Sequence, residues 1–187
     1  MTVLPICITG EPVLHQVAEP VVAFDDALAT LVDDMFATME AAPGVGLAAP
    51  QIGRGERVFV YDWTDEEGTR TRGVAVNPEL WISPVPVGVP EDDEEEGCLS
   101  IPGERFALKR AERALLRAQD VHGEHYELEA SGWLARILQH EYDHLNGILY
   151  ADRLDAFGTK GVQKAIKRNK WGVPGLTWMP GVDDLED

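Results

Sequence analysis

The stretch QHEYDHLNG, residues 139–147, holds two histidines four residues apart and a glutamate directly after the first. On an ideal helix, which turns about 100° per residue, His144 lies about 40° from His140 and Glu141 about 100° from it. Apolar residues share this side of the predicted helix. Polar residues lie on the opposite side: Arg136, Gln139, Asp143 and Asn146. We therefore predict a helix that carries both histidines and the glutamate on its buried side.

A carboxylate on a buried helix face is costly unless a positive charge compensates it. A divalent cation bound to His140 and His144 would compensate Glu141 and give it the role of a proton acceptor. This is the HExxH pattern of many metal-dependent hydrolases. The alternative is an amphipathic helix with two core histidines. Since a catalytic site usually has three protein ligands, the pattern needs a further ligand.

No strong third ligand follows the helix. A third histidine in HExxHxxGxxH would occupy position 150, where the chain has Tyr150, and residues 146–184 contain no glutamate. Asp152 and Asp155 have little to recommend them. Upstream, Cys98 in EGCLS is the strong candidate, because thiolate is a good ligand for iron or zinc. The alternative is a cysteine that only fills the core.

Composition predicts one globular domain of 187 residues with a formal net charge of −17. This charge argues against stable nucleic-acid binding. No apolar run approaches the ~20 residues of a membrane span, and the N-terminus lacks a signal-peptide pattern, so we expect a cytoplasmic location. Cys7 and Cys98 should stay reduced there. We expect the acidic run 91–96 to form a solvated loop and the acidic tail 183–187 to fray.

The hydrophobic pattern predicts three helices and two hairpins. Asp25 or Asp26 caps the first helix, which ends at Pro43. The other predicted elements are strands at 57–62 and 73–80, an edge strand or loop at 81–90, a second hairpin from 114–120 and 124–130, a helix from about 131 to 147, and a helix at 159–170. Strands precede the long helix without regular alternation, which indicates an α+β fold.

Three motifs together resemble the bacterial branch of the peptide deformylases: GVGLAAPQIG at 44–53, EGCLS at 96–100 and QHEYDHLNG at 139–147. The resemblance runs from EPVL at 11–14, through NPEL at 77–80, to about Leu154. It implies an α+β fold in which mostly antiparallel sheets enclose a central HExxH helix. We expect a single catalytic domain, residues 1–187, with a variable extension from about residue 155.

The resemblance implies that Cys98, His140 and His144 are metal ligands and that Glu141 is the acid and base. The expected reaction is hydrolysis of the N-formyl group from the initiator methionine of nascent polypeptides, which releases formate. Two imidazoles and one thiolate leave a divalent ion positive enough to acidify a bound water. By resemblance this ion is Fe²⁺ in the cell, and Zn²⁺, Ni²⁺ or Co²⁺ can occupy the site in purified protein.

The resemblance and the neighbouring motifs also indicate which residues bind the substrate. The Gln51 amide and the Leu99 backbone N–H can donate to an oxyanion. Gly46 permits close backbone approach, and a peptide is expected to pair with residues 45–46 as a strand. Val45, Trp133 and Ile137 are candidate walls of the methionine pocket, with plain core packing as the alternative. Arg105 is expected near the bound peptide, with a solvated surface arginine as the alternative.

Two further predictions concern charge. A basic helix face could contact ribosomal RNA, with a solvated face as the alternative; its residues are Lys160, Lys164, Lys167 and Arg168. Asp143 and Arg110 are candidates for an ion pair behind the metal helix. Two other functions stay open: a metalloprotease that uses the same HExxH chemistry, and an inactive deformylase-like module that only binds peptides.

Overall fold

The computed structural model of the chain describes residues 1–183 and 185, except for the side chain of Asp92. Most of the acidic tail that we expected to fray, residues 184, 186 and 187, lies outside the described residues. No helix in the described part is long and apolar enough to cross a membrane.

Three α-helices are present in the described chain: α1 at Asp26–Ala41, α2 at Gly132–Leu145 and α3 at Ala156–Asn169. The predicted cap of α1 is confirmed, because the Asp25 carboxylate accepts hydrogen bonds from two backbone N–H groups of the first turn. The predicted start of α3 at residue 159 is wrong. Asp155 caps this helix in the same way, so that its first turn forms earlier along the chain.

Nine strands form three antiparallel sheets in the described residues. The strands are β1 (Ile6–Cys7), β2 (Gly46–Ala48), β3 (Val58–Thr64), β4 (Arg70–Ile82), β5 (Glu95–Cys98), β6 (Ile101–Ala107), β7 (Arg113–Gln119), β8 (His125–Ser131) and β9 (Thr177–Trp178). The main sheet has the order β2-β3-β4-β7-β8, and two smaller sheets pair β5 with β6 and β1 with β9. The α+β fold is confirmed.

Three predicted segments differ in detail. The glycine-rich stretch 44–53 is not only a loop, since it contains β2 and a 3₁₀ turn at Ala49–Ile52. The proline-containing stretch 10–22 includes a 3₁₀ turn at Pro12–His15, which begins with its proline, a position that needs no N–H donor. Strand β4 extends through Ile82, so the predicted edge segment 81–90 begins inside the main sheet.

Helix α2 lies at the centre of the molecule and contacts β2, β3, β7 and β8. The prediction that its polar side faces away from the core is wrong for Arg136, Gln139 and Asp143, which are all buried. Each has partners: Gln139 exchanges hydrogen bonds with the backbone of Ala111, and the other two join ion pairs. Because buried polar groups are tolerated when they are hydrogen-bonded, the helix can be covered on both sides.

Candidate metal centre

Three buried side chains converge between β5 and α2. Cys98 is the last residue of β5, and His140 and His144 lie one turn apart on α2. The Cys98 Sγ atom is 3.3 Å from His144 Nε2, which is 3.1 Å from His140 Nε2. One donor atom from each residue lies within 4.8 Å of the other two. Residues from a mid-chain strand and a late helix therefore meet at one point.

These three donor atoms fit a single divalent ion. In a tetrahedral site with typical zinc–nitrogen and zinc–sulfur distances, neighbouring ligand atoms lie about 3.4–3.6 Å apart. Two of the three separations, 3.1 and 3.3 Å, are close to this spacing, and all three donor atoms lie within 4.8 Å of one another. One thiolate and two imidazoles are also the donors that zinc and ferrous iron accept. Without a proton or a cation between them, the facing nitrogen lone pairs of His140 and His144 would repel each other.

His140 is oriented by a carboxylate on its far side. Its Nδ1 lies 2.6 Å from Glu96 Oε1, so the ring donates its proton there and leaves Nε2 free as a ligand atom. Arg110 and Arg136 also donate to Glu96. Burial opposes ionisation, but the hydrogen bonds from His140 and Arg110 outweigh it and hold the pKa of Glu96 well below its ordinary value.

Glu96 is the site residue that sequence reasoning missed. It ends the acidic run 91–96, which we expected to be a solvated loop, yet its side chain is buried. A usable signal was present: side chains two residues apart on a strand point to the same side, which places Glu96 beside Cys98. The exposed Glu95 before Glu96, and the less buried Gly97 between Glu96 and Cys98, follow the same alternation.

The predicted ion pair between Asp143 and Arg110 is present behind α2. The partly exposed Arg153 also donates to the Asp143 carboxylate. Arg110 therefore bridges Asp143 and Glu96, which connects the outer side of α2 to the partner of His140. Such a network restrains the helix that carries both histidines, because each charge in it has a partner.

Glu141 points into the same space with one oxygen unpaired. Its side chain is 4% exposed, and Oε2 is one of two buried side-chain atoms without a hydrogen-bond partner among the described residues. Burial raises the pKa of this carboxyl to about 7. A Cβ atom added to Gly46 would overlap the carboxylate, so Glu141 occupies the room that this glycine provides.

The Gln51 amide is held in one orientation. Its Oε1 accepts a hydrogen bond of 2.9 Å from the Ala48 N–H. Its Nε2 is thereby turned toward Cys98 Sγ at 3.8 Å and Ser100 Oγ at 3.4 Å. The NH₂ group of a fully buried glutamine thus faces the three converging side chains.

One pocket opens over this cluster, and every predicted site residue except His144 lines it. His144 lies behind the other two metal-ligand candidates. Ile137 forms part of the buried wall, whereas Val45 and Trp133 are each 40% exposed at the rim. Trp133 is flanked by Trp63 and by the Arg136 guanidinium, which fixes this side of the opening. The exposed Arg105 lies along β6 at the mouth.

The predicted basic face does not belong to this pocket. Lys160, Lys164 and Lys167 are exposed on α3, whereas Arg168 donates to Glu104. Three lysines therefore remain without an ion pair among the residues that the structure describes.

Comparison with known proteins gives a consistent result. A family model described as polypeptide deformylase matches residues 3–160. A protein of Mycolicibacterium smegmatis named peptide deformylase is 52% identical over 97% of this chain and 96% of its own length. One of Tropheryma whipplei with the same name is 48% identical over 95% of this chain.

Solved structures agree with this match. A peptide deformylase from Legionella pneumophila is 38% identical, with a TM-score of 0.77, over 90% of this chain and 95% of that one. A peptide deformylase from Synechococcus elongatus in complex with actinonin is 33% identical, with a TM-score of 0.77, and the alignment covers 92% of each chain.

Proposed function

The chain belongs to the peptide deformylase family, and on this premise we propose how its own residues carry out the reaction. It is a metal-dependent hydrolase that removes the N-formyl group from the initiator methionine and releases formate. The metalloprotease and the inactive module are not favoured. The observation that carries the proposed site is the meeting of Cys98, His140 and His144 beside the unpaired oxygen of Glu141.

Cys98, His140 and His144 hold the metal ion in this proposal. A divalent ion there supplies Lewis acidity, which makes a water molecule nucleophilic near neutral pH. We propose Fe²⁺ in the cell, with Zn²⁺, Ni²⁺ or Co²⁺ able to occupy the same donors in purified protein. Glu96 holds the His140 ring by its Nδ1 proton, so that the other nitrogen stays unprotonated and available.

Glu141 moves the proton. Its Oε2 accepts a proton from the attacking water and then donates it to the amine nitrogen as the formyl carbon–nitrogen bond breaks. The proton transfers keep the charge balanced, and the products are formate and a peptide with a free N-terminus. Support comes from the burial of this carboxyl and its pKa of about 7, which suits a group that must both take and give a proton.

Gln51 and Leu99 stabilise the oxyanion. As the formyl carbonyl becomes tetrahedral, the Gln51 Nε2 group and the Leu99 backbone N–H donate to its oxygen. Gln51 is already turned toward Cys98 by its bond with Ala48, so the donor needs no reorientation during the reaction. Each such donor is typically worth about 3 kcal/mol in the transition state.

The substrate lies along two open strand edges. Among the described residues, β2 pairs only with β3 and β5 pairs only with β6. Both strands border the pocket. An extended peptide can therefore add backbone hydrogen bonds along residues 45–46. Val45, Trp133 and Ile137 then surround the methionine side chain, and Arg105 lies beside the later residues of the peptide. Gly46 lets the peptide approach and leaves room for Glu141.

The remaining proposals concern location. We propose a cytoplasmic enzyme, because a thiolate ligand needs a compartment that keeps cysteine reduced, and both cysteines are free thiols in the structure. We also propose that Lys160, Lys164 and Lys167 contact ribosomal RNA near the emerging chain, with Arg168 contributing less because it is paired with Glu104.

Formate release from a formyl-methionyl peptide tests the proposed function, with the same peptide lacking the formyl group as control. The wild-type chain should release formate only from the formylated peptide. Glu141→Ala should keep its metal and lose turnover by about 10²-fold or more, since proton transfer is removed. Equal turnover in both proteins would reject Glu141 as the base, and cleavage of the unformylated peptide would favour a protease.

A further inference from the structure

The turn between β5 and β6 carries the proposed oxyanion donor. Cys98 pairs with Ile101 across the two strands, so Leu99 and Ser100 form the whole turn. Two-residue hairpin turns favour positive φ at one or both positions, because this matches the twist of the strands. Neither Leu99 nor Ser100 has a positive φ. The pairing register also shifts between Gly97 and Cys98, so this turn does not close a regular two-residue hairpin. Contacts from outside the hairpin are therefore needed to define its conformation.

Three hydrogen bonds from other described parts of the chain hold this turn. The Thr9 N–H donates to the Ser100 carbonyl at 2.8 Å, and Gln51 Nε2 lies 3.4 Å from Ser100 Oγ. The third concerns the donor residue itself: the Trp178 indole N–H donates to the Leu99 carbonyl at 2.8 Å. Of the three, only this hydrogen bond is made to the backbone of Leu99.

Trp178 is well placed for such a role. It lies in β9, is 3% exposed, and pairs with Ile6 of β1. Two more backbone bonds, from Ile8 to Leu176 and from Gly172 to Thr9, tie the segment 172–178 to the N-terminal strand. This segment lies beyond residues 3–160, which the family model matches. A rigid, buried support therefore reaches the site from the extension of the chain.

We propose that Trp178 is a positioning residue for the oxyanion donor. Cys98 is fixed in β5 on one side, and Trp178 fixes the Leu99 carbonyl on the other. The peptide group that carries the Leu99 N–H is formed with the Cys98 carbonyl, so it lies between Cys98 in β5 and the held Leu99 carbonyl of the next peptide group. A donor held in place before the reaction stabilises developing charge without reorganisation. This inference rests on the proposed role of Leu99.

The test replaces the indole N–H while keeping an aromatic ring. Trp178→Phe should lower kcat on the formyl-methionyl peptide by about tenfold, less than the 10²- to 10³-fold loss when a donor is deleted, because the N–H remains but is less well held. KM and metal content should stay unchanged. In a ¹⁵N-labelled sample the Leu99 amide should exchange with solvent faster than in the wild type.

Trp171→Phe is the matched control, since it makes the same ring change and the indole nitrogen of Trp171 takes part in no hydrogen bond among the described residues, while its backbone N–H bond to Ile166 is kept. It should leave kcat and Leu99 exchange unchanged. If Trp178→Phe does not fold, benzothienylalanine at position 178 keeps the shape of the indole and replaces only its N–H. Wild-type kcat with either change at position 178, or an equal loss in the control, overturns the positioning role. A different result, no formate release by the wild type, would overturn the proposed function itself.

Discussion

At the scale of single residues, the missing side chain of Gly46 provides the space in which Glu141 lies. A Cβ atom at this position would overlap the carboxylate, which is otherwise buried with one unpaired oxygen. The glycine therefore makes room for the proposed base, Glu141, as well as for the approach of a substrate backbone. Since Gly46 has an ordinary strand conformation, space rather than backbone freedom explains the residue.

Gly46→Ala should inactivate the enzyme without unfolding it. The added methyl group displaces the Glu141 carboxylate from its position, and loss of a general base typically costs about 10²- to 10⁴-fold. We expect kcat to fall by about 10²-fold and metal content to persist. Steady-state formate release, with metal analysis of the same sample, measures both.

Gly55→Ala is the control for this substitution. A Cβ atom at Gly55 meets nothing within 4 Å, and alanine should be accepted there. Its kcat should equal that of the wild type. If Gly46→Ala were as active as Gly55→Ala, the steric account of the Glu141 position would be wrong.

The sequence predicted some of the site residues and missed others. Spacing alone placed His140, His144 and Glu141 on one helix face, because helical periodicity is local. Cys98 needed the resemblance as well, since nothing local links it to a helix more than forty residues later. Glu96 was missed because an acidic run usually indicates solvent exposure, and only the strand alternation argues otherwise.

At the scale of elements, the hairpin of β3 and β4 is linked to α1 by charge. Arg70 and Arg72 both donate to Asp62, and Arg72 also pairs with Glu40 of α1. The hydrogen bond from Arg70, and that from Arg72, lower the pKa of Asp62 to about 2 against the effect of burial. The hairpin that positions β2 is thus stabilised by an ionised carboxylate.

Asp62→Asn should reduce stability in a pH-dependent way. A carboxyl with a depressed pKa contributes stability above its unfolded pKa of about 3.9 and loses it as the pH falls toward 2. The free energy of unfolding should therefore differ between wild type and variant near pH 6, and the difference should shrink near pH 3.5. The difference should be modest, since both arginines are partly exposed. Urea unfolding at both pH values measures it.

Asp33→Asn, at an exposed position of α1 without an ion pair among the described residues, is the control. Its stability difference from the wild type should not follow the same pH course. A difference for Asp62→Asn that stays constant between the two pH values would contradict the assigned role of Asp62.

The long elements were predictable and the short ones were not. Regular apolar spacing identified α1 and α2, and alternation identified the main hairpins. β1 and β9 contain two residues each and exist only because distant parts of the chain meet. Their sequences contain no signal of their own, since strand pairing is a tertiary property. The start of α3 was misplaced because Asp155 was considered as a ligand and not as a cap.

At the scale of the whole molecule, charge is unevenly distributed. The chain has a net charge of −17, yet α3 presents exposed Lys160, Lys164 and Lys167 on one face. Changing all three to glutamate should weaken co-sedimentation with ribosomes and leave formate release from a short peptide unchanged. The effect should be largest at low salt, because phosphate contacts depend on ionic strength.

The control variant makes the same change in net charge at positions outside α3. Its three exposed positions, all outside α3, are Arg54, Arg113 and Arg117, each changed to glutamate. This variant should co-sediment as the wild type does if the location of the charge matters. Equal loss in both variants would indicate a nonspecific effect of net charge, and no loss in the α3 variant would reject the ribosome proposal.

The order of strands in the main sheet could not be predicted from the sequence. Its arrangement β2-β3-β4-β7-β8 excludes β5 and β6, which form a separate sheet across the pocket. Nothing in the local pattern of these strands separates them, because which strands pair depends on how the chain packs around α2. This division places Cys98 opposite the helix, so the site is a product of the whole fold.

The central claim is that one ion is held by a sulfur from β5 and two nitrogens from α2. X-ray absorption at the metal edge of the zinc-loaded protein tests it directly, with Cys98→Ser for comparison. We predict one sulfur at about 2.3 Å and two nitrogens at about 2.0–2.1 Å in the wild type, and no sulfur in the variant. A wild-type spectrum with only nitrogen and oxygen neighbours would contradict the account.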